Sequence, residues 1–167
     1  MDNIDRQRLL ALKAQQKQKE LHNAHTDVLE RLEQEIPHFT RCYRLADAEE
    51  TAAVLAIADA LPYSSPGQPL PSNFHSITMN EVVLPTHPVY LTFFLGNEAL
   101  LRIVLQGSAQ DVLQVWEDWQ YISPRIGLID HTLQTCWVLD FEDHTITSFP
   151  NPSKTALLLP KYEHFLP

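Results

Sequence analysis

Val89–Phe149 decides the fold: VYLTFFL, the turn GNE, ALLRIVLQ, then GSAQD, an amphipathic segment carrying Trp116 and Trp119, and finally CWVLDF, EDH and TITSF. Val89 to Leu95 is nearly all apolar, the mark of a strand covered on both faces. Gly96-Asn97 is a hairpin signal, because Gly supplies positive φ, and Ala99 to Gln106 reads as the returning strand. Gly107 breaks that run. Ser108 caps a helix, with Asp111 at the third position after it. The helical projection places Val112, Val115, Trp116, Trp119 and Ile122 on one side, with Asp111, Gln114, Glu117, Asp118 and Tyr121 on the other. Both tryptophans therefore read as core. Ser123 to Asp130 reads as a loop. Thr135 to Phe141 reads as a strand with Trp137, Leu139 and Phe141 on one face and Val138 and Asp140 on the other. Glu142-Asp143-His144 makes a tight turn, and Thr145 to Phe149 pairs back.

Upstream, Ile77 to Leu84 is rich in β-branched residues and reads as a strand. Before it, prolines 62, 66, 69 and 71 mark 62–76 as an ordered surface loop or hinge. Asp47 caps a helix, and Glu50 three residues on completes a capping box. The buried stripe of that helix is Val54, Ile57, Ala58 and Leu61, and Pro62 ends it. The segment His38–Leu45 fits either a short strand or a connector. A helix capped by Asp2 or Asn3 runs to Ile36, where Pro37 stops it. Leu21, Val28, Leu32 and Ile36 form its packing stripe. Its front half has Leu9, Leu10 and Leu12 and then KAQQKQKE, which has no apolar face; it reads as a solvated arm or as a protruding oligomerisation helix. The expectation is one α+β domain over 1–167: a helical part at 1–61, the Pro-rich loop, and a sheet-forming part at 77–167. Its antiparallel sheet has about five strands, with one helix between hairpins.

A chain of 167 residues buries a real core. Its net charge of −9 disfavours nucleic acid and anionic lipid and favours a basic protein partner. No apolar run is long enough to span a bilayer, and MDNIDRQRLL lacks the apolar core of a secretory signal, so a cytoplasmic location is expected. Cys42 and Cys136 read as two reduced thiols. Four glycines leave little scope for phosphate-cradling loops. No nucleophile elbow, Walker loop, EF-hand or HExxH occurs, and no cofactor is implied. His22 and His25 face one side of a helix without a third ligand, so no metal site is assigned. Asp130-His131 and Asp143-His144 are adjacent pairs. On a strand adjacent side chains point to opposite faces, so adjacency alone makes no acid–base pair. If an active site existed, Asp130 and Asp140 with His131 and His144 would be its carboxylate–imidazole cluster; turn chemistry explains the same residues.

Charge is the clearest asymmetry. From Ile103 to Ser153 there are seven acids (Asp111, Glu117, Asp118, Asp130, Asp140, Glu142, Asp143) against the single base Arg125, which is −6 of the chain's −9. Asp111, Glu117, Asp118 and Tyr121 form an expected anionic face, with Asp140 and Glu142 as further contacts. A cationic partner would relieve that self-repulsion and bind faster for it.

WVLDFEDHTITSF at Trp137–Phe149, an apolar strand, an acidic turn and a short return strand, resembles the late hairpin of small bacterial immunity proteins. The resemblance implies a cytosolic antitoxin that plugs the active site of a cationic toxin domain with acidic residues. The leading expectation is therefore a non-enzymatic protein-binding module. The alternatives are an assembly subunit that oligomerises through the N-terminal helix, and an enzyme using the His/Asp cluster.

Overall fold

Five consecutive buried residues, Val89–Phe93, form strand β3 near the middle of the sheet. Such a strand needs cover on both faces, and the computed structural model supplies it. The structure describes residues 3–61, 76–78, 84–142 and 145–150. Helices are α1 (Asn3–Glu35), α2 (Phe39–Cys42), α3 (Ala48–Ala60), α4 (Glu98–Leu101), α5 (Ala109–Gln114) and α6 (Trp116–Ile122). With β3, the strands are β1 (Arg44–Leu45), β2 (Ser76–Thr78), β4 (Leu105–Gly107), β5 (Arg125–Asp130), β6 (Thr135–Asp140) and β7 (Thr145–Pro150). Among the described residues they form one seven-stranded sheet in the order β1-β4-β3-β5-β6-β7-β2, and every pairing there is antiparallel. The class is α+β.

Period-two alternation sorts the strand residues between two apolar layers. Val89, Leu91 and Phe93 of β3, Ile126 and Leu128 of β5, and Leu139 of β6 point to one face. There Val28, Leu32 and Ile36, α5 and α6 cover them, with Trp119 fully buried. Tyr90, Phe94, Ile129, Cys136, Val138 and Phe149 point to the other face, where Val54, Ile57 and Ala58 of α3 and the following Leu61 close the layer. The α3 capping box forms with both of its reciprocal bonds, Glu50 N to Asp47 Oδ1 at 2.8 Å and Asp47 N to Glu50 Oε2 at 2.9 Å. Along α1, residues 4–20 are exposed and burial begins only at Leu21.

Several expectations need correction. Ser123 to Asp130 is not a loop: it contains β5, which pairs with both β3 and β6. Gly127 permits this, because a Cβ there would lie 2.7 Å from Phe94 and 2.8 Å from Thr92. Ala99 to Gln106 is not one strand. The Asn97 side chain accepts a bond from Leu100 N at 2.8 Å and nucleates α4, so only Leu105–Gly107 pairs with β3. Gly96 provides the turn with φ 150°. The single helix after Ser108 is two, broken at Val115 (φ −122°, ψ 34°). In His38–Leu45, where a short strand and a connector were both open, α2 is followed by the strand β1, which pairs with β4 at the sheet edge. These additions, β1 and β5, raise five strands to seven. The expected loop at 62–76 lies outside the described residues except Ser76, which is in β2. The expected strand at 77–84 is described only at Ile77, Thr78 and Leu84.

Candidate functional site

The acidic surface is built on α5 and α6. Asp111 sits in the first turn of α5, and Glu117 and Asp118 in that of α6, where the helix dipole favours negative charge. At the other end of α6, the Arg31 guanidinium donates to the Tyr121 carbonyl at 3.3 Å while it also grips Glu35. Glu117 is exposed, Asp111 and Asp118 are half-buried, and Tyr121 is 75% exposed, the most open large apolar side chain among the described residues. No ion pair among the described residues involves Asp111, Glu117 or Asp118. Trp116 packs against Phe141 with ring centroids 6.3 Å apart, and Glu142, next in sequence, is exposed.

Asp140 does not belong to this surface. It is 4% exposed and accepts from Arg125 Nε at 2.9 Å and Nη2 at 2.8 Å. The alternation placed it opposite Trp137 and Leu139 correctly, but that second face is also covered, and the register sets Arg125 directly across from it.

A second group of polar side chains gathers at the far end of β5. Asp140 is remote from it: five residues of strand, roughly 17 Å, separate its partner Arg125 from Asp130. Asp130 instead meets His131 and a residue the sequence reading passed over, His87. His87 Nε2 lies 2.6 Å and His131 Nδ1 2.9 Å from the same oxygen, Asp130 Oδ1. The imidazole rings touch at 4.5 Å with an interplanar angle of 73°. Thr132 Oγ1 donates to the other carboxylate oxygen at 2.6 Å.

Local structure explains the convergence. Pro88 disfavours helical backbone at His87. The Val89↔Asp130 register then brings the residues preceding β3 beside the end of β5. His131 has left the strand for a turn that closes with Leu133 N to Asp130 O at 2.7 Å and holds Leu133 at φ 57°. The opposite-faces rule for neighbouring strand residues therefore fails at this position, and Asp130 and His131 do meet. Burial pushes the Asp130 pKa up, but hydrogen bonds from Thr132 and His87 outweigh it and hold the carboxyl down at about 2. The fourth member of the expected cluster, His144, lies outside the described residues. Only the pairing of β5 with β3 reveals His87, and a reading that takes β5 as loop has no signal for it.

His131 and Leu133 also line a cleft of about 210 Å³ under the start of α3, with Asp47, Glu49, Glu50 and Tyr90. Glu50 anchors it: Arg44 donates to both its oxygens at 2.8 and 3.0 Å, and Tyr90 donates at 2.9 Å. Those bonds, with the Asp47 backbone N–H, hold Glu50 at about 2. Burial, helped by the Asp130 charge, pushes the Cys136 thiol up to about 12, which suits an inert thiol. His22 is exposed and His25 half-buried, and among the described residues neither joins a third ligand. No described helix is long and apolar enough to cross a membrane. Compared with known proteins, the chain matches no family model, no curated protein and no solved structure.

Proposed function

We propose that this chain is a non-catalytic protein-binding module of the cytoplasm that receives a basic partner on its α5–α6 surface. Its most concrete form is a bacterial immunity protein that occludes a cationic toxin domain. One observation carries the reading: three carboxylates, Asp111, Glu117 and Asp118, stand in the first turns of α5 and α6, the Tyr121 ring near the end of α6 is widely exposed, and no ion pair among the described residues involves the three acids. Such a surface offers charge to steer an encounter and an aromatic side chain to anchor it. The exposed Glu142, which follows Phe141 in the chain, is a further contact in this reading. Co-purification with the product of an adjacent gene tests the proposal. Capture by the wild type that is lost on Asp111→Lys with Asp118→Lys supports it; equal capture by the variant removes these residues from the interface.

A second reading has its own observation. Ile4, Leu9, Leu10 and Leu12 are exposed on the front of α1, where the described structure offers them no cover. A second copy of the chain would bury them, making the protein an assembly subunit. Light scattering on the full chain and on a variant lacking residues 1–20 decides: a change from oligomer to monomer supports assembly, and a monomer in both dismisses it.

A further inference from the structure

We propose that His87, Asp130 and His131 bind one divalent transition-metal ion of the zinc class. This site is independent of the acidic surface on α5–α6. Two imidazole nitrogens and one carboxylate oxygen, all metal-ligand types, lie within 4.8 Å of one another. Both histidines aim at the same oxygen rather than one at each, so the three groups already share a focus. Zinc bonds of 2.0–2.2 Å at tetrahedral angles place two ligand atoms about 3.3 Å apart. The observed separations of 2.6 and 2.9 Å therefore open by roughly 0.4–0.7 Å on binding, well within side-chain rotation.

The surroundings fit as well. Thr132 holds the remaining Asp130 oxygen at 2.6 Å, the kind of outer partner that orients a ligating carboxylate. The backbone is held by the Val89↔Asp130 register and by the turn that closes with Leu133 N to Asp130 O at 2.7 Å. The His87 and His131 side chains are 43% and 49% exposed, against 13% for Asp130. An ion therefore has access, and its remaining positions face water. Three protein ligands with an open position is the arrangement of reactive rather than purely structural zinc. Two imidazoles select zinc, cobalt, nickel or iron over magnesium and calcium, which prefer all-oxygen sites.

The test is a Co²⁺ titration of the full-length protein in excess Mg²⁺, followed by ligand-field absorption and by the imidazole proton signals of His87 and His131. The expected result is one saturable ion per chain, with both imidazoles shifting. His131→Ala and Asp130→Asn abolish the absorption, and Thr132→Val weakens binding roughly 10- to 100-fold, the range for an outer-shell partner. Histidines 87 and 131 are half-exposed, so His87→Ala with His131→Ala keeps the fold, checked by circular dichroism. His22→Ala with His25→Ala leaves binding unchanged. The proposal is overturned by absent saturable binding in the wild type, by binding that survives the His87/His131 double variant, or by binding lost in the His22/His25 variant.

Discussion

Replacing Asp140 with Asn removes the carboxylate to which Arg125 donates twice, at 2.9 and 2.8 Å, on the α3-covered face of the sheet. Hydrogen bonds to charged groups contribute about 1.5–3 kcal/mol each. Breaking a buried ion pair from one side costs about 3–5 kcal/mol, because the surviving charge stays desolvated. The Asp140 side chain is 6% exposed and that of Arg125 19%, so water reaches only part of the guanidinium. The expected loss is therefore about 3 kcal/mol, the lower end of that range. Urea denaturation reads it directly. With a slope near 2 kcal/mol/M, the midpoint falls by about 1.5 M. Glu142→Gln, on the exposed neighbour two residues on, stays within about 0.5 kcal/mol. The double variant Arg125→Met, Asp140→Leu recovers most of the loss, because a well-packed apolar pair often equals a buried ion pair. A midpoint shift for Asp140→Asn below about 0.5 M would refute the claim that this pair is a structural element of the sheet and would return Asp140 to the list of docking residues.

Two further outcomes follow from the core and the α3 cap. Gly127→Ala places a Cβ within 2.8 Å of Thr92 and Phe94 in a central strand; overpacking there lowers stability by about 1–3 kcal/mol, measurable in the same urea assay, and a neutral result would remove the steric account of β5. For Glu50 the folded pKa, about 2, lies below its ordinary 4.5, so the unfolded chain binds the proton more readily and stability rises with pH in that interval. Its contribution is complete above about pH 4.5 and disappears as pH falls through about 2, and denaturation midpoints from pH 6 to pH 2.5 should show a shallower acid limb in Arg44→Gln.

Much of the fold was legible where one local rule had no competitor. The Asp47–Glu50 capping box, the Val54–Leu61 stripe and the face alternation of β6 all follow from spacing alone. At Gly96-Asn97 two rules competed. The pair signals a hairpin, yet Asn97 also caps a helix, and the cap won because its side chain reaches Leu100 N. β5 was obscured for a different reason. Its Gly and the preceding Ser-Pro resemble loop chemistry, yet β5 pairs on both sides, and Phe94 and Thr92 occupy the space a Cβ at Gly127 would need. The site readings inherit these outcomes. Helical phase correctly put Glu117 and Tyr121 outward and Trp119 inward. Asp140 was misplaced because strand alternation identifies a face without saying whether that face is covered. The His87–Asp130–His131 group needed the β3–β5 register, which no local pattern encodes.

In the proposed function the α5–α6 carboxylates are the receptor for positive charge. Its most direct test is the association rate of the chain with its co-purified basic partner, measured across a range of ionic strength. The prediction is an on-rate that falls steeply with salt in the wild type and is about 10-fold or more lower at low salt in Asp111→Lys, Glu117→Lys, Asp118→Lys. An on-rate that is equal in the two proteins and flat with salt would contradict it.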